Sequence, residues 1–389
     1  MTVQAGMTDD DFAPVLESID RFTRERLIPS EREVASGEEP PAALLQEMRE
    51  LGLFGLTFPE EYGGLALNAE QYAEVGLVLG RVAPAIRNVL SIHNGIASLG
   101  IAVSGTNEQR TRYLPRLASG ELIGAFALTE PDSGSDAASI KTIARRTARG
   151  WVLNGAKRFI SNATIAGLFT VIARTPDDGG GISAFLVEPG TRGLSIGKPE
   201  QKMGQQGAPI AELTFDQCEV PDEALLGEAG AGFKIAMQSI DLGRLFIAAC
   251  CVGLSYRLIE DATQYAMERK QFGKPIAQHQ LVQAMLADSL TATYAAKTMV
   301  RSAARRLRDG NPIQVEASMC KMFATEMVCR VADRCVQIHG GNGYIRDYMV
   351  EQIYRDVRVL RIYEGTTQIQ QLLIAKDLIR RTRDRVSLP

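Results

Sequence analysis

A carboxylate beside a glycine stands near the C-terminus, in the sequence IYEGT at residues 362–366. Gly365 has no side chain, so a ligand can approach Glu364 closely at this point. Thr366 or Thr367 is expected to cap a helix. The predicted apolar positions of that helix are Ile369, Leu372, Leu373 and Ile374. An acid at a helix start can serve a ligand, but acids at helix N-termini more often only stabilise the helix.

A second polar segment has the sequence TEPDSGSD at residues 129–136 and follows a short apolar run. Pro131 and Gly134 favour a tight loop, which the hydroxyl groups of Thr129, Ser133 and Ser135 surround. Such a loop can donate several hydrogen bonds to a polar heterocycle or to a phosphate. A turn that is simply rich in polar residues explains the segment equally well.

Two further segments contain residues that could bind a ligand: ERKQFGKP at residues 268–275 and the glycine-rich QIHGGNG at residues 337–343. Arg269 could bind a phosphate and Phe272 could stack on a flat ring, although a cation at a helix C-terminus is favourable by itself. Helix capping explains one glycine of the second segment but hardly three, so close approach of a ligand is expected. His339 is more readily a structural residue than a catalytic one.

Composition and absent motifs narrow the function. The net charge of −3 gives no support for nucleic-acid binding. Six cysteines without a Cys-x-x-Cys pair, and three histidines away from metal spacing, indicate free thiols and no metal site. No apolar run is long enough to predict a membrane span, and residues 1–12 lack a signal-peptide core, so a cytoplasmic location is expected. The sequence has no Gly-x-Gly-x-x-Gly, Walker, Gly-x-Ser-x-Gly or His-Glu-x-x-His motif, so any dinucleotide needs another type of fold.

The elements that position these segments fall into three blocks. Residues 1–122 read as helical, with one helix ending at Gly52, capping boxes starting at Asn68 and Thr106, and a buried helix over 91–105. In residues 123–227 apolar and polar residues alternate with a period of two, and turn-forming residues, including those at 177–181, separate or follow the apolar runs. The predicted strands are 125–128, 150–153, 169–172, 183–187 and 211–215. Strands without intervening helices favour an antiparallel barrel or sandwich.

Residues 228–389 return to the helical period. Amphipathic stretches over 248–267, 280–307 and 313–338 predict a helix bundle. The fold class is therefore α+β multidomain: an N-terminal helical domain (1–122), a middle antiparallel β-barrel or sandwich domain (123–227) and a C-terminal four-helix-bundle domain (228–389).

Five segments, in this order and on this frame, resemble the acyl-CoA dehydrogenase family over nearly the whole chain. They are residues 125–136, 159–162, 268–273, 337–343 and 362–366. The resemblance implies a soluble dehydrogenase acting on a short- to medium-chain acyl-CoA, with tightly bound FAD. It also implies electron-transfer flavoprotein as acceptor and a homotetramer, a dimer of dimers.

The resemblance also implies the residues that hold FAD. Those placed around the flavin ring are Phe126, Leu128, Thr129, Phe159 and Ser161. Those serving the ribityl, pyrophosphate and adenine parts, some of them from a neighbouring subunit, are Arg269, Phe272, Gln280, Gln337 and Gly341. Thr366 and Gln368 are expected to face FAD as well.

Glu364 matches the catalytic base of the family, which removes the proton α to a thioester while a hydride leaves the β carbon for flavin N5. The backbone N–H of Glu364 and a ribityl hydroxyl are expected to bind the thioester oxygen as charge develops there. Filling of the pocket by the acyl chain should raise the pKa of Glu364 towards the working pH. The substrate-binding residues are expected to be Ser135, Asp241, Arg244 and Gly365.

Two departures from the family pattern matter. Branches similar to isovaleryl-CoA dehydrogenase carry the catalytic glutamate immediately before the arginine at 244; this chain has Gly243 there, which leaves Glu364 as the base. Phe159 replaces a common tryptophan over the flavin. A flavin oxidase or monooxygenase that uses O2, and a non-catalytic acyl-CoA-binding scaffold, stay open as alternatives. The acyl chain itself is not specified by any sequence period.

Overall fold

The computed structural model describes residues 6–177 and 181–387. Residues 1–5, part of the stretch without a signal-peptide core, and 178–180, part of the predicted turn at 177–181, lie outside the described residues. The first block is helical as predicted. Its helices are α1 (Asp9–Phe22), α2 (Glu31–Ser36), α3 (Ala42–Glu50), α4 (Ala69–Leu79), α5 (Pro84–Ser91), α6 (Leu99–Ser104) and α7 (Asn107–Ala118).

The predicted helix boundaries follow from local capping. Asn68 and Thr106 each form a full capping box, with Gln71 and Gln109 as the reciprocal side chains. Gly52 lies just after α3 in the left-handed conformation, with φ of 72°. These three predictions are confirmed.

The predicted helix over residues 91–105 is buried but not continuous. A π-helical segment, Ile92–Ala97, separates α5 from α6. Its Asn94 is completely buried, accepts a hydrogen bond from the backbone N–H of Leu56 and donates one to the carbonyl of Leu53. Periodicity alone does not predict the irregular turn, because it depends on these distant partners.

The middle block is one eight-stranded sheet. Its strands are β1 (Gly124–Ala127), β2 (Ile143–Thr147), β3 (Gly150–Ser161), β4 (Leu168–Thr175), β5 (Gly181–Val187), β6 (Leu194–Ile196), β7 (Ile210–Val220) and β8 (Leu225–Leu226). Along the sheet the order is β6-β7-β3-β2-β4-β5-β8, with β1 beside β4. Most pairs are antiparallel as predicted, but β2 pairs with β4 in parallel at one position, and β1 is parallel to β4 along its whole length. No hairpin joins those two strands, so no turn fixes their relative direction.

The last block is a helix bundle. Its elements are α8 (Gly232–Glu268), β9 (Lys270–Gln271), β10 (Lys274–Pro275), α9 (Gln280–Arg308), α10 (Gln314–His339), α11 (Met349–Val357) and α12 (Thr367–Asp384). Helix α8 begins 16 residues before the predicted 248, because its first half carries polar residues that weaken the apolar period. It is the single described helix long and apolar enough to cross a membrane, and 94% of its most apolar window is buried inside the protein.

Candidate active site

The turn before α12 holds Glu364 in an uncommon backbone conformation. Glu364 has φ of 52° and Gly365 has φ of 90°, so two successive residues lie in the left-handed region. Glycine adopts this region freely, whereas glutamate does so at a cost that the surrounding structure must offset. The hydroxyl of Thr366 then accepts a hydrogen bond from the N–H of Ile369 at 3.2 Å and caps α12.

Side chains from three helices hold the backbone of this turn. The carbonyl of Glu364 accepts hydrogen bonds from Arg244 Nε and Gln370 Nε2, both at 3.1 Å. The carbonyl of Gly365 accepts from Lys321 Nζ at 2.7 Å and from Gln370 Nε2 at 3.1 Å. These contacts join α8, α10 and α12, and they stabilise the strained position of Glu364.

Gly243 on α8 makes room for the carboxylate. A Cβ atom built at Gly243 would lie 2.7 Å from Glu364 Oε2 and 3.1 Å from Oε1. It would also lie 3.0 Å from the side chain of Ile96, and the Cα of Gly243 itself faces Gly95 in the π-helical segment. Glycine at 243 therefore leaves the space that the carboxylate of Glu364 occupies.

Burial makes Glu364 a stronger base than an exposed carboxylate. Its Oε2 atom is buried and has no hydrogen-bond partner among the described residues. Desolvation raises the pKa of Glu364 to about 7, although Arg244, Lys321 and Arg87 act in the opposite direction. A carboxylate with this pKa can accept a proton near neutral pH.

Arg244, one of the expected substrate-binding residues, is buried on α8. Only 5% of it is exposed. Its Nη1 lies 3.0 Å from Asp241 Oδ1, one helical turn earlier, while its Nε supports Glu364. Burial raises the pKa of Asp241, and Arg244 opposes that shift. The structure thus connects the predicted substrate-binding pair to the turn that carries Glu364.

The five residues predicted around the flavin ring lie at adjacent ends of β1 and β3. The N–H of Arg158 donates to the carbonyl of Thr129 at 2.8 Å and joins the two ends. The β3–β7 register shifts between Lys157 and Ile160, and this bulge turns Phe159 outward, 53% exposed and with φ of 58°. A half-exposed aromatic ring at a fixed bulge suits stacking on a flat heterocycle.

A buried ion pair fixes the loop after β1. Lys157 Nζ lies 2.7 Å from Glu130 Oε1 and 3.1 Å from the carbonyl of Leu128. Glu130 also accepts a hydrogen bond from the N–H of Thr142 at 2.9 Å. Ser133 directs its hydroxyl into the loop, onto the carbonyl of Asp136, whereas Ser135 is exposed. Of the three hydroxyls predicted around the loop, that of Ser133 is therefore already engaged.

The residues predicted for the distal part of FAD lie elsewhere, where α8 and α10 end. They are Arg269, Phe272, Gln280, Gln337 and Gly341, and all five are exposed. Tyr265 stacks on His339 with ring centroids 4.3 Å apart and joins the two helix ends. Helix α8 separates Arg269 from Arg244 by 25 residues, roughly 38 Å along its axis. One chain therefore does not bring this group to Glu364.

Two clefts border the site. One of about 190 Å³ passes Asp241 and the turn between α9 and α10 at 310–314. The other, about 450 Å³, lies between α4, α6 and α8 and is lined by Tyr72, Leu99 and Leu242 among others. Leu242 and Leu307 border both clefts. A ligand that reaches Asp241 from the surface thus meets an apolar region beside it.

Sequence reasoning missed several residues that build the site. Lys321, Gln370 and Lys157 are each 0% exposed, and Arg87 is 1% exposed. Each carries a polar or charged group at a position that the surrounding helix or strand pattern assigns to the core. That mismatch between residue type and apolar period was the available signal.

Comparison with known proteins shows where this architecture belongs. Three family models match in succession: the N-terminal (10–121), middle (125–218) and C-terminal (230–379) domains of acyl-CoA dehydrogenase. An acyl-CoA dehydrogenase from Bacillus subtilis is 42% identical over 360 residues, which cover 92% of this chain and 95% of the relative. The chain belongs to the acyl-CoA dehydrogenase family.

Solved structures of the family agree with this assignment. Butyryl-CoA dehydrogenase from Megasphaera elsdenii has a TM-score of 0.91 at 35% identity, over 96% of this chain and 99% of the other. A chain in a structure described as the electron transferring flavoprotein of Acidaminococcus fermentans has a TM-score of 0.92 at 38% identity, over 96% and 99%. An acyl-CoA dehydrogenase from Bacillus anthracis, complexed with FAD, has a TM-score of 0.89 at 34% identity, over 99% and 70%.

These comparisons confirm the predicted family, fold class and cofactor. Acyl-CoA dehydrogenases are FAD-dependent oxidoreductases, and the outward ring of Phe159 beside Thr129 fits a flat flavin. A curated relative with a different name, an NADH-dependent acryloyl-CoA reductase from Anaerotignum propionicum, is 42% identical over 365 residues, 93% of this chain and 92% of the relative. Membership of the family therefore does not by itself fix the direction of the reaction.

Proposed function

We propose that this acyl-CoA dehydrogenase oxidises a short- to medium-chain acyl-CoA to the trans-2-enoyl-CoA, with Glu364 as the base. The observation that supports this most strongly is the carboxylate itself: it is held at a strained turn, its Oε2 atom is buried, and burial raises its pKa to about 7. A base of this strength suits the removal of a weakly acidic proton. Similarity to butyryl-CoA dehydrogenase supports the chain length.

The protein residues bind, orient and deprotonate the substrate. Asp241 and Arg244 are proposed to line the path of CoA together with Ser135, and Gly365 leaves space for the thioester. The backbone N–H of Glu364 is proposed to donate to the thioester oxygen, and Oε2 to take the α proton. Bound FAD supplies the acceptor for the β hydride.

The proposed cofactor contacts divide between two chains. Phe126, Leu128, Thr129, Phe159 and Ser161 would surround the flavin ring, with Thr366 and Gln368 beside it. The exposed group at the ends of α8 and α10 would serve the distal part of FAD bound to a neighbouring protomer. The length of α8 supports this division, because it keeps that group away from Glu364 of the same chain.

We also propose a homotetramer, and the division of the cofactor contacts between chains supports such an assembly. Large apolar side chains stay exposed on the C-terminal helices of a single chain: Leu281, Leu290, Tyr294, Leu372 and Ile379. Leu372 was predicted as an apolar position of α12 and is 65% exposed, which a contact with another protomer would explain. Electron-transfer flavoprotein is the proposed acceptor, supported by the similar chain in the flavoprotein structure.

Anaerobic titration of the FAD-loaded protein with acyl-CoAs tests this function. A substrate should bleach the flavin absorbance in the wild type, and Glu364→Gln should retain FAD and bind acyl-CoA without bleaching. Loss of the base should lower the rate of flavin reduction by about 1,000-fold or more. Unchanged bleaching in Glu364→Gln would exclude Glu364 as the base, and the absence of bleaching by any acyl-CoA would exclude the proposed reaction.

A further inference from the structure

Arg87 on α5 is a buried arginine near the proposed base. It is 1% exposed, and its Nη1 lies 3.5 Å from the hydroxyl of Ser91. Within residues 6–177 and 181–387, its Nε and Nη2 atoms have no hydrogen-bond partner and its guanidinium forms no ion pair. Burial of a guanidinium without a bound anion is costly, so the position calls for a functional explanation.

The unbonded edge of Arg87 is the edge with which arginine binds carboxylates. In this same protein, Arg301 uses Nε and Nη2 to hold both oxygens of Glu74, at 2.7 and 2.9 Å. Arg26 holds Glu47 in the same way, at 2.7 and 2.6 Å. Arg87 presents an identical pair of parallel donors in a buried place, and such a pair matches a carboxylate in shape and charge.

Other buried polar atoms without partners gather at the same place. Besides the two nitrogens of Arg87, they are Tyr72 Oη, Tyr363 Oη, Glu364 Oε2 and Gln370 Oε1. Tyr363 lies next to the guanidinium of Arg87, and Arg87 acts electrostatically on Glu364. Buried polar groups in native proteins are normally satisfied. A concentration of unsatisfied atoms around Glu364 therefore points to a polar ligand in the pocket, not only to an alkyl chain.

The charges around Glu364 also favour an anion. Arg244, Lys321 and Arg87 all act on Glu364, and the other carboxylate acting on it is Asp241. Arg244 is bound to Asp241, and Lys321 Nζ donates to the carbonyl of Gly365. When Glu364 accepts a proton it becomes neutral, and three cations then face one carboxylate. A second anionic group on the substrate would balance this excess and bind at Arg87.

We propose that the acyl chain accepted by this enzyme ends in a carboxylate, bound by the Nε–Nη2 edge of Arg87 with the hydroxyl of Tyr363 as a further donor. The inference rests on the proposed function and names its substrate class: CoA monothioesters of short dicarboxylic acids. The chain must be short because Arg87 and Glu364 belong to one buried cluster. Ser91 lies one helical turn after Arg87. Its hydroxyl lies beside Nη1 and orients the guanidinium.

Substrate comparison on the unmodified holoenzyme tests the proposal without any variant. Glutaryl-CoA and pentanoyl-CoA have acyl chains with the same number of carbons and differ in the terminal carboxylate. We expect kcat/KM for flavin reduction to favour glutaryl-CoA by roughly 100-fold, the usual scale for a buried charge pair. An equal or higher kcat/KM for pentanoyl-CoA would overturn the proposal while leaving the proposed dehydrogenation intact.

Variants of Arg87 then test whether this residue binds the terminal carboxylate. Arg87→Gln should weaken glutaryl-CoA binding by roughly 100-fold, measured by equilibrium titration of the flavin spectrum, and should reduce or reverse the preference over pentanoyl-CoA. Arg87→Lys keeps the charge but loses the pair of parallel N–H donors. Its affinity for glutaryl-CoA should lie between those of Arg87→Gln and the wild type. Binding of CoA without an acyl group is the control and should not change. Equal losses for glutaryl-CoA and pentanoyl-CoA would show a structural role for Arg87 and overturn the assignment.

Discussion

At the scale of single residues, one glycine decides whether the proposed base, Glu364, can occupy its position. Gly243→Ala would place a methyl group 2.7 Å from Glu364 Oε2, closer than real Cβ contacts. We expect FAD to stay bound and kcat for flavin reduction to fall about 10- to 100-fold, because the carboxylate must move from its geometry. Gly95→Ala is the matched control: it adds a methyl group to the facing segment, yet the nearest atoms lie 3.9 Å away. A similar loss of kcat in both variants would contradict this explanation, because it would show that any methyl group added in this region lowers the rate.

The charge of one residue sets the pH dependence. Burial raises the pKa of Glu364 to about 7, and the proposed base must be deprotonated to act. Below that pH the active fraction falls, so kcat/KM should decrease about tenfold per pH unit and level off above pH 7. Lys321 lowers the pKa of Glu364, so Lys321→Met should move the profile to higher pH. A profile that is flat across this range, or unmoved in Lys321→Met, would contradict the assignment.

At the scale of elements, a buried ion pair connects β3 to the loop after β1. Lys157→Met would leave the carboxylate of Glu130 buried without its cation, at a cost of about 3–5 kcal/mol in the free energy of unfolding. We expect a lower melting temperature and loss of FAD, because the same loop carries Leu128 and Thr129. Lys141→Met is the control, since Lys141 and Asp132 form an ion pair that is 74% and 71% exposed, and it should change little. Restored stability in the double variant Lys157→Met/Glu130→Gln would complete the test.

At the scale of the whole molecule, exposed apolar residues on α9 are expected to lie between protomers. Leu281 is 82% exposed, and Leu281→Asp should dissociate the proposed tetramer, as measured by light scattering. FAD content should fall when the tetramer dissociates, because the exposed residues at the ends of α8 and α10, such as Arg269, would no longer reach the FAD of the neighbouring protomer. Ile196→Asp is the control, an exposed apolar residue on β6 with no proposed interface. Full FAD occupancy in a monomeric Leu281→Asp variant would contradict the division of the site between chains.

Much of the architecture was readable from local patterns. The capping boxes at Asn68 and Thr106 and the glycine after α3 fixed helix boundaries, because their hydrogen bonds join residues three or fewer positions apart. The strands missed in the middle block, β2, β6 and β8, are short or exposed and show little alternation. Their existence depends on neighbouring strands, and no local pattern reports such pairing.

The sequence alone determined the family, the order of the three blocks and the acid at 364, because these depend on residue type and spacing along the chain. Tertiary structure alone decided what surrounds that acid. Gly243, Lys321 and Arg87 come from α8, α10 and α5, at separations of 43 to 277 residues from Glu364. Burial and electrostatic effects depend on distance in space, not along the chain. The raised pKa of Glu364, and the buried arginine that supports the proposed dicarboxylic substrate, are consequences of packing.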